Sequence, residues 1–178
     1  MDLSKTILQK AEDYSSYTAT NLSKLIQIKS LSGEEEGVAK TLKKMMEEAG
    51  FDEAKIDGLG NVTGRIGNGK KIIAIDGHID TVDLGNLDNW NFDPLGGEVK
   101  DGFVQGRGSV DQSGGPAAFI TAGKILKEIG LPSDLTVYFT GTVMEEDCDG
   151  LCWNYIIEVD KIKPDCVIVT EPTNLNIY

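Results

Sequence analysis

Short runs of β-branched residues alternate along this 178-residue chain with longer segments of helical period. A chain patterned that way closes its core by laying helices against a sheet. The strand-like runs are Phe51 to Asp57, Asn61 to Ile66, Lys71 to Asp76, Leu135 to Thr140 and Cys166 to Thr170, punctuated by glycine. The last of them is continuously apolar, the pattern of a strand covered on both faces. Residues 4–29 place Ile7, Ala11, Tyr14, Leu22, Leu25 and Ile26 on one side of a single predicted amphipathic helix. Ser32-Gly-Glu-Glu35 has the spacing of a capping box, which predicts a second helix through Val38, Leu42, Met45, Met46 and Ala49 to a stop at Gly50. A third begins at Pro116 and is closed by Gly130 and Pro132, and a short fourth spans Gly150 to Val159. Lys100-Asp-Gly102, set between Glu98-Val99 and Phe103-Val104, predicts a small hairpin. The expected fold class is α/β, and no repeat or linker divides the chain.

The charge balance removes several function classes. A net charge of −12 and a pI near 4.5 argue against nucleic acid and anionic membrane as partners, because phosphate binding needs clustered Lys and Arg. No apolar run approaches the roughly 20 residues that cross a bilayer, and the first residues lack a basic-then-apolar signal pattern. The expected location is therefore the cytoplasm. Cys148, Cys152 and Cys166 form no CxxC pair, and reduced, partly buried thiols are expected.

The only histidine, His78, follows the third strand-like run, and Asp80 projects the same way two residues later. That spacing lets the aspartate accept one ring N–H and leaves the other nitrogen free for a metal. Asp80, Asp111, Glu145, Glu146 and Glu171 all fall at or just past strand ends, where α/β sheets build their sites. Carboxylates gathered there repel one another unless cations compensate. Imidazole with carboxylates suits zinc first, with cobalt or manganese as alternatives. On extended backbone the neighbours Glu145 and Glu146 diverge, so that one binds metal and the other faces a reacting water. Taken singly, each feature also has an ordinary reading: a strand-end histidine satisfied by an acid, and a solvated acidic loop. The glycines around Asp111 lack the lysine and hydroxyl of a phosphate loop and are expected to turn the backbone around the acid. Glu145, Asp147 and Asp149 alternate before Gly150 as in a calcium loop, but the twelfth position is Ile156 where a bidentate glutamate belongs. Trp90, Phe92 and Trp153 could line a pocket, but such aromatics are more often core and no role is assigned to them.

Taken together, Gly77-His-Ile-Asp-Thr-Val82, Gly106-Arg-Gly-Ser-Val-Asp-Gln-Ser-Gly-Gly115, Glu145-Glu-Asp147 and Glu171-Pro-Thr173 resemble the dinuclear zinc amidohydrolase and peptidase family. That family includes acetylornithine deacetylase, succinyl-diaminopimelate desuccinylase and glutamate carboxypeptidase. Glu145-Glu-Asp-Cys-Asp-Gly-Leu-Cys-Trp153 also resembles the selenium-metabolism-linked subgroup. The resemblance implies a mixed, mostly parallel sheet with helices on both faces. It implies that His78 and Glu171 hold one zinc ion, that Glu146 holds a second and that Asp111 bridges the two. Glu145 is then the general base, Asp80 orients His78, and a cis peptide follows Asp111. The implied reaction is hydrolysis of an amide in an N-acyl amino acid or peptide-like substrate. Family members also carry a further histidine and an inserted lid or dimerisation domain, which the sequence lacks. Residues 1–178 are thus expected to be the N-terminal portion of a catalytic domain, inactive until completed by further chain or by a complementary C-terminal chain. The competing expectation is a non-catalytic remnant that binds metal weakly or serves as an interaction module.

Overall fold

In the computed structural model, which describes residues 2–148, 150–174 and 176, the strands form one five-stranded sheet and one small hairpin. The helices are α1 (Leu3–Asp13), α2 (Ser15–Ile26), α3 (Glu36–Glu48), α4 (Gly114–Ile129), α5 (Glu145–Cys148) and α6 (Leu151–Glu158). The strands are β1 (Glu53–Ile56), β2 (Val62–Gly67), β3 (Lys71–His78), β4 (Glu98–Lys100), β5 (Phe103–Gln105), β6 (Leu135–Thr142) and β7 (Cys166–Val169). The sheet order is β1-β2-β6-β3-β7, and β4 pairs with β5 as the expected hairpin. β1 is antiparallel to β2 and β2 to β6, whereas β6, β3 and β7 are mutually parallel neighbours. Four strands therefore run one way and only β2 opposes them, a mixed and mostly parallel sheet.

Alternation along the strands separates the two faces. In the parallel register Ile75 is paired with Phe139, and Asp76 with Thr140. The Phe139 ring is fully buried and meets Phe51 at 5.0 Å and Phe119 of α4 at 5.7 Å between centroids. Leu25 of α2, Val38, Leu42 and Met46 of α3, and Ile120 of α4 fill the same core against Val62 and Val137. Burying each of these large side chains contributes about 1.5–3 kcal/mol. The opposite face, that of Asp76 and Thr140, receives Trp153 from α6. Helices thus cover both faces, and the strand ends between them are open for a site.

Three local expectations are corrected. The predicted helix over residues 4–29 is two helices, because Tyr14 has ψ 7° and turns the chain. The amides of Tyr14 and Thr18 still bond four residues back, so the apolar spacing continues across the bend and cannot reveal it. The bend lets Lys10 and Tyr14 both reach Glu128 of α4. Secondly, the capping box does not form: α3 starts at Glu36 without a side-chain cap. Ser32 and Glu35 bond instead to Asp80 and to the amide of Met144, two distant partners that a local signature cannot anticipate. Finally, β7 is not covered on both faces. It is an edge strand pairing only with β3 among the described residues, and Ile168 and Val169 are 52% and 55% exposed. Among the described residues no helix is long and apolar enough to cross a membrane.

Candidate metal centre

His78 is the last residue of β3, paired with Thr142 of β6. Gly77 before it allows a close approach: a Cβ there would lie 2.6 Å from Gln112 Oε1 and 2.9 Å from Pro116 Cδ. The loop carrying Asp111 can therefore pack directly on the strand. The imidazole is 2% exposed, and its Nδ1 lies 2.9 Å from the Asp80 carbonyl oxygen and 3.3 Å from Asp80 Oδ1. Nδ1–H is thus shared between the main chain and the carboxylate of Asp80, which fixes the ring and leaves Nε2 outward. Nε2 faces three acids: Asp111 Oδ1 at 2.9 Å, Glu145 Oε2 at 3.7 Å and Glu171 Oε1 at 3.8 Å. Burial works against a charged ring, but the hydrogen bonds of Asp80 and Asp111 and the charges of Asp80 and Glu171 prevail. They raise its pKa to about 9.

Asp80 is fully buried. Its Oδ2 accepts from Ser32 Oγ at 2.7 Å and from the Glu146 amide at 3.1 Å, and its Oδ1 accepts from the Glu145 amide at 3.1 Å. Burial favours the neutral acid, yet His78, Ser32 and the two amides hold the pKa below the ordinary value. One carboxylate consequently orients the imidazole and caps the turn that presents both glutamates. That turn corrects a further expectation: Glu145 and Glu146 lie on α5, a helical turn, and not on extended backbone. Successive residues of a helix still diverge by about 100°. Glu145 gathers with His78 and Glu171, and Glu146 with His78 and Asp111, each group having its ligand atoms within 4.8 Å of one another.

Asp111 lies between β5 and α4 and is joined to Gln112 by a cis peptide, as the resemblance implied. Gln112 is fully buried, and its Oε1 accepts from Thr170 Oγ1 at 3.0 Å, tying this loop to the end of β7. Glu171 comes next in the chain. Burial raises its pKa, Asp111, Glu145 and Glu146 add to the rise, and His78 opposes it. Glu146 is raised too, by burial first and then by Asp111. An outward Nε2 among mutually repelling carboxylates fits a divalent cation, and its mixed nitrogen and oxygen donors suit zinc, cobalt or manganese.

All six residues singled out in the sequence therefore converge: His78, Asp80, Asp111, Glu145, Glu146 and Glu171. Three participants escaped it. The capping-box spacing predicts Ser32 as a helix cap, whereas its hydroxyl bonds Asp80. Asp76 and Trp153, which bond at 2.9 Å, line a cavity of about 190 Å³ together with His78, Glu145, Cys152 and Glu171. Asp76 was detectable, since it shares the strand face of His78 at a spacing of two. Trp90 and Phe92 pack edge to face at 5.5 Å, with the Arg107 guanidinium 5.1 Å from the Trp90 ring. Asp149 of the calcium-loop reading lies outside the described residues, but Ile156 is fully buried and cannot serve that loop. The three cysteines are free thiols, Cys152 buried and Cys166 exposed.

Similarity to known proteins agrees with this geometry. Residues 74–178 match the family model described as peptidase family M20/M25/M40. The uncharacterised protein YgeY of Escherichia coli (strain K12) is 49% identical over 174 residues, covering 98% of this chain and 43% of that protein. Succinyl-diaminopimelate desuccinylase 2 of Ruegeria sp. (strain TM1040) is 32% identical over 161 residues, 85% of this chain and 40% of the enzyme. The M20 family metallo-carboxypeptidase Sso-CP2 of Sulfolobus solfataricus superposes with a TM-score of 0.73 at 24% identity, over 86% of this chain and 37% of that one. The chain spans about two-fifths of the length of the curated relatives it matches. With half the sequence matched by the family model, the same fold and a histidine ringed by acids at the strand ends, the chain belongs to peptidase family M20/M25/M40.

Proposed function

We propose that this chain carries most of the metal centre of a hydrolase that cleaves amide bonds, the substrate being an N-acyl amino acid or a short peptide. The observation that carries the reading is the outward Nε2 of His78 with Asp111, Glu145 and Glu171 all within 3.8 Å. In this reading His78 and Glu171 would hold one zinc ion and Glu146 the other, with Asp111 available to both. Cobalt or manganese would suit the same donors. Bound metal supplies a Lewis acid for the scissile carbonyl and an activated water near neutral pH. Glu145 serves as general base, taking a proton on Oε2 and passing it to the leaving amine. Asp80 keeps the Nδ1 proton on His78, so that Nε2 is the donating atom, and holds the Glu145–Glu146 turn through two amides. The same reading places the protein in the cytoplasm, in keeping with its free thiols.

Among the described residues, only Asp111 and Glu146 are grouped with His78 on the Glu146 side, which leaves that half of the centre short of ligands. We infer that further residues complete it, from a longer polypeptide of which residues 1–178 are the N-terminal catalytic portion, or from a complementary chain. The exposed apolar strand β7, which ends two residues before Glu171, supports that completion. The test compares this chain with a version extended to the length of its relatives, measuring bound zinc and hydrolysis of N-acyl amino acids and dipeptides. Turnover by the extended form alone is expected. In that form His78→Ala should lose metal, and Glu145→Gln should keep metal while losing turnover by about 100-fold or more. Metal binding without hydrolysis in both forms would instead establish a non-catalytic module.

A further inference from the structure

Asp76, His78 and Asp80 alternate along β3 and its continuation, and the two outer acids grip the same downstream segment. Asp80 accepts the amides of Glu145 and Glu146 at 3.1 Å each. Asp76 Oδ2 accepts the indole N–H of Trp153 in α6 at 2.9 Å. Between these anchors the chain turns at Gly150, whose φ of 83° is left-handed and favours glycine. Asp76 also receives Thr140 Oγ1 of β6 on Oδ1, and its carbonyl oxygen receives the amide of Thr170, the residue before Glu171, whose hydroxyl is shared between that oxygen and Gln112 Oε1. A single residue thus joins β6, which leads into the Glu145–Glu146 turn, α6, which follows it, and the residue before Glu171. Asp76 is 6% exposed, and an apolar side chain would cover the sheet at lower energetic cost than a buried carboxylate. Its worth is therefore geometric.

We propose that Asp76 is a positioning residue which, through Trp153, holds α6 and the Glu145–Glu146 turn at the distance from His78 that metal binding requires. The proposal rests on the metal-centre reading, so its test has one arm without metal. In the metal-free protein, amide hydrogen exchange at Glu145 and Glu146 should accelerate about tenfold or more in Asp76→Ala and in Trp153→Phe. Exchange at Phe139, in the central strand β6, should stay within twofold. Asp76→Asn should behave as the parent, because its amide oxygen can accept from Trp153 while its NH2 donates to Thr140. In the second arm, the affinity for Co²⁺, followed by its visible absorption, should fall about tenfold in Asp76→Ala and Trp153→Phe but not in Asp76→Asn. Unchanged exchange at Glu145 and Glu146 overturns the proposal, as does faster exchange with unaltered Co²⁺ affinity. If neither this chain nor the version extended to the length of its relatives binds Co²⁺, the metal-centre reading fails, and with it the purpose assigned to Asp76, while the exchange arm still decides whether the clamp exists. Should Asp76→Ala fail to fold, Trp153→Phe against Asp76→Asn makes the same comparison.

Discussion

The raised pKa of His78 makes the stability of the metal-free protein fall with pH in a defined window. Unfolded, the imidazole titrates near 6.5; folded, Asp80, Asp111 and Glu171 overcome its burial and move it to about 9. Between those values the folded state holds a proton that the unfolded state has released, so the free energy of unfolding decreases as pH rises. The contribution is fully present below pH 6.5, declines through the window and is gone above about 9. A separation of about 2.5 units at about 1.36 kcal/mol each is on the order of 3 kcal/mol, for a ring only 2% exposed. The assay is denaturant unfolding with a chelator present, at intervals from pH 6 to 9.5, for the parent and for His78→Gln. The parent should lose about 3 kcal/mol more than the variant across this range. The difference belongs to the ring together with the acids that share its proton. Saturating Zn²⁺ should offset the fall, because a metal needs the neutral ring and its stabilisation grows over the same window. Parallel pH profiles for parent and variant would refute the geometry inferred for Nε2.

Two further substitutions probe the surroundings of the site. Ser32→Ala removes the 2.7 Å hydrogen bond to Asp80 Oδ2 and should cost about 1–3 kcal/mol in denaturant unfolding, whereas loss of a mere helix cap would leave metal affinity untouched. An accompanying drop in Zn²⁺ affinity by calorimetry is expected, since Asp80 sets the ring of His78. Ile168→Lys, on exposed β7, should alter stability by no more than about 0.5 kcal/mol and reduce concentration-dependent association in sedimentation. A loss above 2 kcal/mol would mean that the strand is buried.

What the sequence made legible follows from the range of each interaction. The period of two in Lys71 to Asp76 placed His78 and Asp80 on one face, because alternation is a property of a few consecutive residues. That the acids belonged at strand ends was legible too. Which of them would meet Nε2 was not, since it depends on the register of β3 with β6 and β7 and on the α5 turn. Ser32 shows the failure most clearly: S-x-x-E describes a local cap, but Asp80, 48 residues away, competes for the same hydroxyl and wins. A carboxylate that is already desolvated gains more from that donor than an exposed helix end does.

The apolar run of β7 carries the same reasoning in the opposite direction. Cys166-Val-Ile-Val-Thr170 predicts a strand covered on both faces, but among the described residues its faces are open. Composition records what a strand is suited to touch, while exposure records what it touches in these residues. Glu171 follows β7 by one residue beyond Thr170, and Thr170 is fastened to Asp76 and Gln112. A layer closing over β7 would therefore bear on the position of Glu171 as well as on the exposed surface. In the proposed complete enzyme, covering the strand and assembling the metal site become one event, so a substitution on β7 that leaves this chain's stability intact should weaken metal binding only in the extended form.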